Sequence, residues 1–162
     1  MASIVERLKS FNPVRKLVYF IVGAVSYPGL AIINKLHISG MEHLKKLPRN
    51  NVLFVSNHQT YFADVAAMMH VFNASLSGRV DNIRDIGYLF NPKLNIYYVA
   101  AKETMRSGIL PKIMEYIGSV SIERTWREKG KDVNKQVKMS DISNITKALD
   151  DGWVITFPQG TT

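Results

Sequence analysis

The sequence predicts an α/β fold: a mixed, largely parallel layered sheet flanked by helices. Three observations predict it. The continuous apolar runs Asn51–Ser56 and Asn95–Ala100 read as strands buried on both faces, the habit of parallel sheets. Segments with helical periodicity and helix-terminal residues separate the strands. Strand and helix candidates then alternate along the chain, the pattern of layered α/β domains. The 162 residues suit one domain with a substantial core, and 46% hydrophobic with 21% charged residues places the chain among globular proteins.

The elements follow in order. Leu17–Ile33 is strongly apolar, with Arg15 and Lys16 before it, Lys35 after it, and Pro28-Gly29 set to kink it. At about 17 residues it stands at the lower limit for a membrane span. The sequence favours a helix anchored in one leaflet. A short span, a core helix and a signal peptide cleaved near Ala24-Val25-Ser26 are the other readings. The expected organisation is an N-terminal membrane-anchoring helical segment over residues 1–35 and a catalytic domain over 36–162. Leu36–Ser39 is a short strand candidate. Asn51–Ser56 is the next strand, and Tyr61–Phe72 is a helix capped by Thr60. Met68, Met69, Phe62 and Phe72 on that helix read as core. Residues 78–92, with Arg79, Asp81, Arg84 and Asp85, read as a long loop.

After the Asn95–Ala100 strand, Ile109–Ile117 reads as a helix with Pro111 in its first turn, and Ser119–Glu123 as a strand. Lys129, Lys131, Lys135 and Lys138 lie in a polar stretch. Ser140 caps a last helix with Asp141 in its first turn, Ile142, Ile145 and Leu149 on one face, and Gly152 at its stop. Trp153–Phe157 is the last strand.

Lys and Arg total 21 against 13 Asp and Glu, a formal charge of +8. That balance points to anionic partners such as membrane headgroups or phosphorylated substrates. No helix with base-reading residues and no aromatic stacking motif supports nucleic-acid binding. The chain has no Cys, which excludes disulfides, zinc-thiolate sites and a Cys nucleophile. It has no Gly-x-Ser-x-Gly motif, which argues against a serine hydrolase.

The chemistry concentrates in Ser56-Asn57-His58-Gln59-Thr60-Tyr61-Phe62-Ala63-Asp64. His58 falls where a strand ends and a helix begins, the place where catalytic groups gather in open α/β sheets. Asp64 lies in the first turn of the helix, and helical side chains tilt toward the N-terminus, so Asp64 is aimed back at the loop that carries His58. An Asp–His contact fixes the imidazole tautomer and stabilises the imidazolium that forms when the base takes a proton. Asp64 also suits the helix dipole without any catalytic part. His37, His43 and His70 read as surface or packing residues.

Three blocks together resemble the PlsC-like glycerolipid acyltransferases, the lysophospholipid and 1-acylglycerol-3-phosphate acyltransferases. They are Asn57-His58 with Asp64, Gly118-Ser119-Val120-Ser121-Ile122-Glu123-Arg124, and Phe157-Pro158-Gln159-Gly160-Thr161-Thr162. Gly40–Leu44 and Ala101-Lys102-Glu103 look like the family's connecting segments, and the order agrees from about Leu36 onward. The resemblance implies that His58 is the base and Asp64 its orienting partner. It implies that Arg124 holds the acceptor phosphate through its guanidinium fork, for which an ion pair with Glu123 or Glu128 is the alternative. Gln159, Gly160 and Thr161 form a loop that approaches substrate closely, and Lys102 is a further anion contact.

The family's reaction carries a fatty acyl group from coenzyme A or acyl carrier protein to a lysophospholipid hydroxyl. It forms no acyl-enzyme and needs no metal or cofactor. The implied partners are a phospholipid membrane, the thioester donor and the lysophospholipid. The implied location is the cytoplasmic face of the cell membrane, peripheral or monotopic. Acylation of another lipid acceptor, such as an amino-acid lipid, and a non-catalytic lipid-binding protein are the alternatives.

The chain departs from the family pattern in three places. Five residues rather than four separate His58 from Asp64, Gln159 stands for Glu, and Thr162 stands for Arg. These point to a modified acceptor site. Related chains continue past the third block, so the domain is expected to be C-terminally incomplete.

Overall fold

The structure, a computed structural model, describes residues 13–57, 60, 62–101, 118–122, 127–128, 131–132 and 138–158. Helix α1 (Pro13–Tyr27) runs directly into a π-helical turn over Pro28–Ile33. Pro28 has no N–H to give and sits where the new turn starts, so the helix changes type there. Its wider bond runs from the Asn34 N–H to the Gly29 carbonyl at 3.0 Å. Then come α2 (Met41–Leu44), β1 (Val52–Val55), α3 (Ala63–Leu76), a 3₁₀ turn (Ile86–Leu89) and β2 (Ile96–Ala101). They are followed by β3 (Ser119–Ile122), β4 (Arg127–Glu128), β5 (Lys131–Asp132), α4 (Met139–Asp151) and β6 (Trp153–Thr156).

Four strands form one parallel sheet in the order β1-β6-β2-β3, and β4 pairs with β5 as a short antiparallel ribbon. The central strand β6 is buried on two faces, whereas β1, first in the strand order, leaves Leu53 and Val55 exposed, so the expectation that Asn51–Ser56 is buried on both faces is corrected. On the first face, Trp153, Ile155, Ile96 and Tyr98 meet Val65, Met69 and Phe72 of α3 and Tyr19 of α1. Trp153 organises this face: its ring lies 5.2 Å from Phe54 and 5.0 Å from Phe72, and its indole N–H donates to the Pro48 carbonyl at 2.7 Å. On the second face Val154 and Val120 lie under Ala148 of α4, with Ile145 and Leu149 packed beside it. A second cluster joins Met41, Ala74, Ile83, Tyr88 and Leu89 beneath residues of α1 and the π turn.

Several expectations need correction. Leu36–Ser39 is not a strand. Leu36 donates its N–H back to the Leu30 carbonyl at 2.8 Å, and Leu36 and Ile38 pack into the second cluster. Helix α3 starts at Ala63 with Phe62, not Thr60, at its N-cap position. Lys138, not Ser140, precedes α4, and Ile142 is exposed while Ala148 is the buried residue of its packed face. Gly152 does follow α4. Its φ of −173° is extended backbone open to any residue, but a Cβ there would collide with the Asn95 carbonyl where β2 begins. The long loop is structural: Asp81 accepts the Met41 N–H at 3.0 Å, and Asp85, at φ +62°, caps the 3₁₀ turn through Gly87 and pairs with Arg79. The expected Ile109–Ile117 helix lies outside the described residues.

Candidate active site

All four strands of the sheet run the same way, so their carboxyl ends share one edge. Val55 ends β1 opposite Thr156 of β6, and the Ser56 N–H donates to the Thr156 carbonyl at 3.0 Å. The loops that follow these two strands therefore leave side by side. They are the segments of His58 and of Gln159, Gly160 and Thr161. On the other side, Ala101 of β2 pairs with Ile122 of β3, one and two residues ahead of Lys102 and Arg124. The carboxyl ends of β1, β6, β2 and β3 thus lie in that order, each shortly ahead in sequence of His58, the third block, Lys102 and Arg124 respectively. Three strand spacings separate the first from the last, about 14 Å at the sheet.

Of the residues singled out from the sequence, Asp64 is described. His58, Lys102, Arg124, Gln159, Gly160 and Thr161 lie outside the described residues, as do Lys129, Lys135 and Thr162. Asp64 sits in the first turn of α3, half-buried, and its carboxylate reaches back to the preceding loop. It accepts the Thr60 N–H at 3.0 Å and the Thr60 hydroxyl at 2.8 Å. The tilt of helical side chains toward the N-terminus produces this direction. The carboxylate at a helix N-terminus is also favoured by the dipole. Thr60 is the residue that the sequence reading assigned wrongly. It does not cap α3; it holds Asp64. The signal was present in the spacing, since Thr60 and Asp64 stand four apart across a helix start, one more than a capping box.

A second cluster of titratable groups is fully buried. His70 of α3 lies with its Nδ1 2.6 Å from the Tyr88 hydroxyl and its Nε2 2.9 Å from Ser26 Oγ of α1. Ser26 gives its own proton to the Val22 carbonyl at 2.7 Å. That assigns Nε2–H as donor to Ser26 and Nδ1 as acceptor from Tyr88. Ser26 is therefore committed to its helix and is no nucleophile. Burial pushes the imidazole pKa down to about 4, partly offset by the Gly23 backbone, and pushes the Tyr88 phenol up. Among the described residues no group of three His, Asp or Glu side chains forms a metal site.

A parallel α/β sheet with a carboxylate, Asp64, turned toward the residue just past the carboxyl end of β1 is a scaffold that can carry acid–base chemistry. The chain belongs to the Acyltransferase family, the PlsC-type glycerolipid acyltransferases: the family's model matches residues 35–162. Neither the curated proteins nor the solved structures contain a match to it. Its N-terminal stretch Arg15–Ile33 is one helix long and apolar enough to cross a membrane by length and composition.

Proposed function

We propose that this protein transfers a fatty acyl group from a coenzyme A or acyl carrier protein thioester to the hydroxyl of a lysophospholipid such as 1-acylglycerol-3-phosphate, in phospholipid biosynthesis. This is acyl transfer of the kind that moves groups other than aminoacyl groups. Residues 36–162 form the catalytic domain, and residues 1–35 hold it to the cytoplasmic face of a phospholipid membrane. His58 takes the hydroxyl proton, and the oxygen attacks the thioester carbonyl. The new ester bond forms, the carbon–sulfur bond breaks, and the departing thiolate takes up the proton from His58. Asp64 orients the imidazole and balances its transient charge. Arg124 holds the acceptor phosphate, with Lys102 as a further cation. Gly160, between Gln159 and Thr161, lets the third-block loop close on the substrate. No metal or other cofactor takes part.

What supports this reading above all is the family match over residues 35–162 together with a strand order that sends the family's three blocks out from one sheet edge. The test is an acyl-transfer assay offering lysophosphatidate and other lysolipids with acyl-CoA and acyl carrier protein donors. Ester product on a lysophospholipid is the expected result. Turnover confined to an amine acceptor would move the assignment to N-acylation, for which the Gln159 and Thr162 departures leave room.

Thr60 enters as a positioning residue in this scheme. Thr60→Val removes the hydroxyl that donates to Asp64 while leaving the backbone N–H. A charge-assisted bond at a partly exposed site corresponds to roughly a tenfold loss in kcat/KM. Thr60→Ser, which keeps the hydroxyl, is expected to restore it. Full activity in the valine variant would show that Thr60 has no such part.

A further inference from the structure

Half of the chain's surplus charge sits in one short segment. Residues 124–138 hold six Lys and Arg against two Asp and Glu, a surplus of four in a chain whose formal charge is +8. The segment begins and ends at the carboxyl edge of the sheet. β3 reaches that edge at Ile122, beside Ala101 of β2. α4 ends at the opposite edge, where the Trp153 N–H donates to the Asn95 carbonyl just ahead of β2. The 13 residues of α4 span about 20 Å, so Lys138, which precedes it and is exposed, stands back at the carboxyl edge. The His58 segment leaves the sheet from the same edge.

Within the segment the backbone folds into the β4–β5 ribbon, a sheet of its own. Its register sets Arg127 opposite Asp132 and Glu128 opposite Lys131. Opposite charges across an antiparallel pair favour the pairing. All four paired residues are charged, so they give the core no apolar face. A two-stranded ribbon this short is marginal in water by itself. The charges of the four paired residues cancel, and the surplus lies on Arg124, Lys129, Lys135 and Lys138. Only Lys129 and Gly130 stand in sequence between the paired Glu128 and Lys131. Trp126 stands directly before the ribbon. It is one of two tryptophans, and the other, Trp153, is fully buried in the core. Cations beside an aromatic residue are the composition that receives a phosphorylated base, since the indole can stack on the base and the cations can meet the phosphates.

We propose that the β4–β5 ribbon, with Trp126 before it and Lys129 and Lys138 beside it in the chain, binds the adenosine 3′-phosphate 5′-diphosphate end of coenzyme A, which makes a coenzyme A thioester the donor. The acceptor's phosphate lies a few bonds from its hydroxyl, whereas the donor's phosphates stand a whole pantetheine arm from the thioester. A cation cluster beyond β3, three strand spacings or about 14 Å from β1 at the sheet, matches the longer reach. The inference rests on the proposed acyl transfer, but nucleotide binding is measured without turnover, so the two fail separately. The probe is adenosine 3′,5′-bisphosphate, titrated against the whole chain at low salt, with circular dichroism to verify that each variant is folded. Because Trp153 is enclosed, saturable quenching of tryptophan emission is expected to come from Trp126 and to vanish in Trp126→Phe. Lys129→Gln with Lys138→Gln should weaken binding roughly tenfold or more. Lys45→Gln with Lys46→Gln removes the same charge from exposed lysines after α2 and should leave binding unchanged. Equal weakening by the two pairs would trace binding to net charge and overturn the site. So would the absence of saturable binding, or equal rates with acyl-pantetheine and acyl-CoA at one subsaturating concentration. If the Lys129→Gln, Lys138→Gln variant lost turnover with acyl carrier protein, or binding to anionic vesicles, while holding the bisphosphate as before, the ribbon would belong to a protein or a membrane and the proposal would fall. Bisphosphate binding at the ribbon without any acyl transfer would uphold the site and sink the acyl-transfer reading instead.

Discussion

His58→Ala is expected to lower kcat for acyl transfer by roughly 10²–10⁴-fold, the range that a positioned general base supplies. A lysophospholipid hydroxyl is a weak nucleophile until its proton is taken, and the chain offers no Cys and no serine-hydrolase motif to supply an alternative nucleophile. In the proposed scheme the base acts on the reacting proton rather than on the bound acceptor. So kcat and kcat/KM should fall together with KM little changed. Asp64→Asn should fall less far: its side-chain carbonyl can still accept from Thr60, but the charge that balances the imidazolium is gone. The measurement is release of free thiol from acyl-CoA in the presence of lysophosphatidate, with circular dichroism to verify that each variant is folded. Turnover by His58→Ala within a fewfold of the unaltered protein would end the assignment of the base.

The strands were legible because their signal is local. Val52–Val55, Ile96–Ala101, Ser119–Ile122 and Trp153–Thr156 each fall inside an apolar run seen in the sequence. What separates them from Leu36–Ser39, a shorter and more polar candidate, is also a partner. The sheet has β1 at one edge and β3 at the other, and the Leu36 N–H is spent on Leu30. The direction of Asp64 was also readable, since it follows from helix geometry alone. Its partner was not, because the fifth residue between His58 and Asp64 leaves Thr60 outside the helix instead of at its cap. The fate of the N-terminal helix was the least legible. Arg15, Tyr19 and Ser26 find their partners 44 to 82 positions away, at His70 and in the Ile96–Tyr97 pair. No window of sequence holds both halves of such a contact. His70 itself left a clue: α3 is apolar on nearly every side, and a helix of that kind is buried all round.

Acidification from pH 7 to pH 4 is expected to remove about 3 kcal/mol of folding stability through His70 alone. Burial holds this imidazole's pKa down to about 4 from the ordinary 6.5. Below pH 6.5 the unfolded chain takes up the proton, while the folded protein refuses it until the pH nears 4. In that window the unfolded state binds more protons, so stability falls as the pH falls. About a pH unit above 6.5 the contribution is fully present, and about a unit below pH 4 no more is lost. The surroundings explain the refusal. Ser26, Tyr27 and Tyr88 face the ring, and Arg79, which lies 5.9 Å over the Tyr88 ring, has its charge paired to Asp85. An imidazolium there would also turn Nδ1 into a donor against the Tyr88 hydroxyl, which now donates to it. The loss is a large share of the 5–15 kcal/mol that holds a typical domain together. Urea unfolding at pH 7, 5.5 and 4 would measure it beside His70→Gln, a variant with no group to titrate. The variant should be less stable at pH 7, and the gap should shrink by about 3 kcal/mol as the pH reaches 4. Parallel pH profiles for the two proteins would show that His70 does not control the loss. Because His70 is bonded to Ser26 of α1, the same acid window should loosen that helix from the body before the sheet opens, as faster hydrogen exchange in α1 than in β2 and β6.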